Sequence, residues 1–162
     1  MTGIPPRLDI DTRAATFSRA LAHLDNATAK QADSVGFGAR LRDLVRLRVS
    51  QVNGCAYCVD MHTKDLQAGG IPDEHLAALP VWQDAPFFDG RERAALGFAE
   101  AMALMARDHV PSAVYEATAA HFDDDEMGAL VALVVTINAW NAVGVSTRAW
   151  EVGSYKPASE SS

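Results

Sequence analysis

At 162 residues the chain has the length of one domain, and its 49% apolar content is enough for a sizeable core. Aromatics are only 7%, a composition that suits packed helices better than a β-sandwich or barrel. The formal net charge of −7 argues against non-specific nucleic-acid binding and against a basic patch for anionic lipid.

Residues 1–10 read as an extended arm. They lack the basic flank and apolar stretch of a signal peptide, and no segment approaches the roughly 20 apolar residues of a membrane span, so a cytoplasmic protein without a membrane partner is expected. The spacing of Phe17, Ala20, Leu21 and Leu24 predicts a helix over 12–31 with those four on its buried face. Residues 32–38 break it. A second helix over 39–52 carries Leu41, Leu44, Val45, Leu47 and Val49, with Arg40, Arg42, Arg46 and Arg48 at the other positions. Asn53-Gly54 interrupts the pattern. Helix resumes through Cys55, Cys58, Met61, His62 and Leu66 and stops at Gly69-Gly70.

Pro72 opens a short helix to about residue 79, and a loop follows over 80–88. Asp89 and Glu92 match a capping box that starts a helix to about residue 107. Pro111 suits the first turn of another helix, to about residue 120. The acidic run at 123–126 favours the start of a last helix, whose apolar residues run nearly all round from Met127 to Trp140. That helix is expected to be central or in a subunit interface. The domain is taken as 11–153, with a loose polar tail over 154–162 and no repeat or linker.

The chain has two cysteines, Cys55 and Cys58, and they sit three apart. Two cysteines do not make a disulfide-stapled scaffold; the pair asks for a redox, metal or catalytic explanation. On a helix they are one turn apart, and Cys58 and His62 are an i, i+4 pair, so all three share a stripe. With Asn53 or Gly54 as N-cap, Cys55 falls in the first turn, where free N–H groups stabilise a thiolate. Such thiols can cycle between dithiol and disulfide, with His62 moving protons. Asp43 is the favoured carboxylate to orient His62, since the break at 53–54 allows its helix to fold back. Asp60 and Asp65 are nearer in sequence but are expected to point away from the stripe. Both cysteines could instead be plain core residues. Zinc usually wants four ligands, and no second close Cys/His group accompanies this pair, so no metal and no cofactor is expected.

The run from Leu44 to Thr63, with Asn53-Gly54-Cys55-Ala56-Tyr57-Cys58 and His62 at its centre, resembles the alkylhydroperoxidase AhpD-like branch of the carboxymuconolactone decarboxylase superfamily. The resemblance continues at Phe88–Leu96, Ala99-Glu100 and Ile137–Asn141. It implies an all-α, AhpD-like helical bundle that assembles as a homo-oligomer, often a trimer or hexamer, with sites near subunit contacts. It also implies thiol-dependent peroxide reduction, with Cys55, Cys58 and His62 on matching positions and the relay carboxylate at Asp43, where Glu is usual. Tyr57 stands where the best-studied peroxidases have a second histidine.

The expected activity is that of a thiol oxidoreductase, reducing peroxides or exchanging disulfides with an unidentified thiol reductant. Two rivals remain open at this level: a decarboxylase-type or lactone-processing enzyme with His62 as acid/base, and a non-enzymatic redox-sensing protein. Which sulfur attacks first is also open, since His62 favours Cys58 and the helix start favours Cys55.

Overall fold

The computed structural model describes residues 4–157. Among them every regular element is helical: α1 (Ile10–Arg13), α2 (Ala15–Ser34), α3 (Ala39–Asn53), α4 (Ala56–Ala68), α5 (Asp73–Ala78) and a 3₁₀ turn at Leu79–Val81. They are followed by α6 (Gly90–Ala103), α7 (Met105–Asp108), α8 (Ser112–Ala119) and α9 (Asp124–Thr147). The all-α expectation holds. Positions 1–3 of the expected arm and 158–162 of the expected tail lie outside the described residues.

Several boundaries follow from local chemistry visible in the sequence. Asp89 and Asp123 each accept the N–H of the residue three ahead, and Glu92 and Glu126 reach back to the cap N–H, closing two capping boxes. The first helix differs from its expectation. Asp9 caps a single turn, α1, and the chain steps at Ala14 (φ −133°, ψ 49°) before α2 begins. The buried residues of α2 are Leu21, Thr28 and Ala32, whereas Phe17 and Leu24 are 53% and 43% exposed. Its packed face is centred on Thr28, whose hydroxyl meets that of Thr136 on α9 at 2.7 Å. A polar residue therefore marks the face that the apolar spacing misplaced. The helix expected to reach residue 107 also ends early, at Ala103, and a separate turn follows.

Two apolar clusters fill the interior, and α3 feeds both. Val45 and Val49 join Phe98, Leu130, Leu133, Val134 and Ile137, while Leu44 and Leu47 join Leu66, Leu79, Phe88 and Leu96. With two faces of α3 buried, its arginines are confined to the remaining arcs. There Arg40 pairs with Glu92 and Arg48 with Glu100, each at 2.5 Å.

Helix α9 packs against α2, α3, α4 and α6, as its all-round apolar character predicts. By length and composition alone it could cross a membrane, contrary to the expectation from the sequence, and 44% of its most apolar window is buried in the fold. Its polar residues are used internally. Asn53 donates to Asn138 (2.7 Å) and Asn141 (3.0 Å), and Asn141 donates to the Ser50 hydroxyl (3.0 Å). This buried network ties the end of α3 to α9 beside the cysteines.

Candidate active site

The site begins with a turn. Gly54 takes the left-handed conformation (φ 72°) that ends α3. The Cys55 N–H donates to Ser50 O (3.0 Å) and the Gly54 N–H to Gln51 O (3.3 Å). This reversal leaves Cys55 itself as the N-cap of α4, rather than Asn53 or Gly54 as expected. Its Sγ accepts the Cys58 N–H at 3.4 Å.

Cys55 and Cys58 are joined as a disulfide with Cα atoms 5.3 Å apart. The two residues are 2% and 4% exposed. Gly144 of α9 lies directly over them, and a Cβ at that position would sit 2.8 Å from Cys55 Sγ and 3.7 Å from Cys58 Sγ. The space for the sulfurs is thus made by a missing side chain on the facing helix.

His62 lies one turn beyond Cys58 on α4 and is buried. Its Nδ1 has no hydrogen-bond partner. Two carboxylates approach it: Asp43 Oδ1 from α3 at 3.7 Å and Asp65 Oδ2 from α4 at 3.8 Å. Both distances exceed a direct hydrogen bond, and the two contacts become ion pairs when the ring is protonated. The structure brings Asp43 to the histidine, as expected, without direct contact. It corrects the expectation for Asp65: a residue three beyond His62 is also a helical neighbour, and its carboxylate turns towards the ring. Asp60 does point elsewhere, pairing with Lys64 at 2.9 Å.

The surroundings of the two carboxylates differ. Asp43 lies 3.6 Å from Arg46, which in turn lies 3.6 Å from Asp25. Asp65 accepts the Tyr155 hydroxyl at 2.7 Å. Burial pushes the Asp65 carboxyl above its ordinary range, against the Tyr155 hydrogen bond, and the charge of Asp43 adds to the rise. Burial and then the bond to Asp65 lift Tyr155 well above the ordinary tyrosine range, so it stays a protonated donor. Asp43, His62 and Asp65 together offer possible metal ligands within 4.8 Å of one another. Arg46 and the Tyr155 proton already attend the two carboxylates, which works against a cation there.

Cys58 and His62 open onto a cleft of about 420 Å³ whose apolar wall is Tyr57, Met61, Ile137, Trp140 and Trp150. Cys55 is not among its lining residues. Trp150 packs on Tyr57 and Trp140 with ring centroids 5.5 and 5.7 Å away. Sequence reasoning missed Asp65, Gly144, Trp150 and Tyr155. A lone glycine in an apolar helix is a signal of close approach, but nothing local marks Trp150 or Tyr155, which reach the site from the end of the chain.

The sequence profile of the carboxymuconolactone decarboxylase family matches residues 15–101, more than half of the chain and all of α2, α3 and α4. The chain belongs to this family. The uncharacterised protein YdfG of Bacillus subtilis is 35% identical to the chain over 105 residues, covering 65% of this chain and 71% of that protein. The crystal structure of ATU0492 from Agrobacterium tumefaciens superposes with a TM-score of 0.83 at 31% identity, over 91% of this chain and 98% of that one. ATU0492 is described as a protein of unknown function and suggested to be an AhpD antioxidant-defence protein. The debrominase Bmp8 shares the fold at a TM-score of 0.74 and 17% identity, over 88% of this chain and 74% of its own. The AhpD-like branch of the family is therefore the one this chain resembles in both sequence and fold.

Proposed function

We propose that this carboxymuconolactone decarboxylase family member is a thiol peroxidase that reduces an organic hydroperoxide through Cys58, Cys55 and His62. One observation carries the reading: Cys58, half of a closed disulfide, shares an aromatic-walled cleft with His62. The likeness to ATU0492 supports it.

In the reduced protein the Cys58 thiolate attacks the outer peroxide oxygen. The S–O bond forms, the O–O bond breaks, and the departing alkoxide takes a proton from His62 to leave as an alcohol. The Cys55 thiol then attacks the Cys58 sulfenic acid. The S–S bond forms, and hydroxide leaves as water with the Cys55 proton, passed through His62. Each turnover converts one peroxide and one dithiol into alcohol, water and disulfide. An external dithiol restores the pair by attacking Cys58, the cleft-lining sulfur, so that Cys55 leaves as a thiolate stabilised by the Cys58 N–H. Asp43, 3.7 Å from Nδ1, serves as the partner that holds the His62 ring in place.

The apolar wall favours a hydroperoxide with an apolar body over hydrogen peroxide. The test is turnover of cumene hydroperoxide against hydrogen peroxide with dithiothreitol as reductant. Faster turnover of the organic substrate, abolished by Cys58→Ser, is expected. Activity on an unsaturated lactone that survives thiol alkylation would favour the decarboxylase-type reaction instead.

Self-association, as a trimer or hexamer, belongs to the same reading. Val131, Val135 and Val145 form an exposed stripe on α9. Light scattering on the purified protein should return a multiple of the 17.4 kDa chain mass.

A further inference from the structure

Residues beyond α9 turn back along α4. Arg148, at φ 49°, ends α9 in the left-handed region, and the chain then runs across the exposed side of α4 as a strap. The Gly153 N–H donates to Asp60 Oδ2 (3.1 Å), and the Lys64 ammonium donates to the carbonyls of Gly153 (3.3 Å) and Tyr155 (3.1 Å). Trp150 is clasped by Tyr57 and Trp140. These contacts fix where the Tyr155 hydroxyl lies, 2.7 Å from Asp65 Oδ1. The other oxygen of the same carboxylate is the one that faces His62 Nδ1 at 3.8 Å.

We propose that Asp65, clamped by the Tyr155 hydroxyl, is a positioning residue for His62, so that the C-terminal strap completes the proton-transfer site. What His62 does once positioned rests on the peroxidase reading; the positioning itself rests on this geometry. Asp43 lies 3.6 Å from Arg46, whereas among the described residues the one basic group within 4 Å of Asp65 is His62, with Arg46 acting on it from farther away. A carboxylate with one oxygen held by a fixed donor presents its second oxygen in a fixed direction. Here that direction is Nδ1, an otherwise unpartnered atom in a buried ring. Two carboxylates facing Nδ1 favour the tautomer protonated there, which leaves Nε2 as the atom that takes or gives the working proton. The groups bearing on the ring are then Asp43 and Arg46 from α3, Cys58 and Asp65 from α4, Asp25 from α2 through Arg46, and Tyr155 through Asp65.

The experiment is an NMR titration of the His62 ring in the full-length reduced protein, comparing wild type with Tyr155→Phe and Asp65→Asn, with thermal melts as a folding control. Without the hydroxyl, Asp65 holds its charge less well and is free to turn away, so the ring loses an anionic partner. The His62 midpoint is expected to fall by about half a pH unit or more in Tyr155→Phe and further in Asp65→Asn. A purely structural strap would change the melt and leave the midpoint alone. Midpoints matching wild type in both folded variants overturn the proposal; a shift in Asp65→Asn alone removes Tyr155 from it. Peroxide turnover measured alongside separates the two readings. If the midpoints shift as expected but no peroxide is reduced, the peroxidase reading fails and the positioning stands. If both hold, kcat falls about tenfold in Asp65→Asn with KM little changed.

Discussion

Cys58 and Cys55 occupy unequal positions although they share a bond. Cys58 lines the cleft with His62; Cys55 caps α4 beneath Gly144. Cys58→Ser is therefore expected to abolish reaction with peroxide, while Cys55→Ser reacts once and stalls as a sulfenic acid, detectable by mass spectrometry as one added oxygen. Asp65 adds a pH signature. Its carboxyl is raised by burial, so the fold favours its protonated form, and the stability it confers is full below the ordinary carboxylate value and lost as pH rises through the raised one. Asp65→Asn, which keeps an acceptor for Tyr155, should therefore melt no lower than wild type at neutral pH while losing activity. A lower melt would show that the charged form is structurally required. At this scale local spacing made the Cys55–Cys58–His62 stripe legible, and the break at 53–54 allowed Asp43 to fold back towards His62, where the structure puts it 3.7 Å away. The sequence concealed Tyr155, whose partner lies 90 positions away.

The helix starts marked by acidic caps were legible, while the break at Ala14, the end of α6 at Ala103 and the Cys55 cap of α4 were not. The Asp89/Glu92 box formed as its spacing predicts, and the acidic run at 123–126 does open α9, where the structure adds a second box between Asp123 and Glu126. Faces were harder to read. Leu21 is buried but Phe17 is not, because the partner surface, α9, decides which arc of α2 packs, and that surface is remote in sequence. The glycine of α9 over the disulfide gives the sharpest test at this scale. Gly144→Ala would place a methyl 2.8 Å from Cys55 Sγ on a rigid helix. A destabilisation of about 1–3 kcal/mol is expected from overpacking, read by denaturant melts, and the oxidised protein should lose more than the reduced because its sulfurs cannot turn aside. Equal losses in the two states would indicate that Gly144 serves helix packing alone.

At the scale of the whole molecule, α3, α4 and α9 form one frame. Two apolar clusters grip α3, the Ser50–Asn53–Asn138–Asn141 network locks it to α9, and α4 carries the reactive stripe between them. The frame's interior is sensitive to truncation: Leu47→Ala, at a fully buried position, should cost about 2–5 kcal/mol. The helical class was legible from composition and periodicity, and the closure of the site by the chain end was not, since Trp150 and Tyr155 carry no pattern of their own. The measurement closest to the central claim is the fate of the two thiols when the reduced protein meets one equivalent of cumene hydroperoxide. The account predicts that Cys55 and Cys58 disappear together, with one disulfide formed and one alcohol released per chain, and that added dithiol restores both. Thiols that persist while the peroxide remains intact would contradict it.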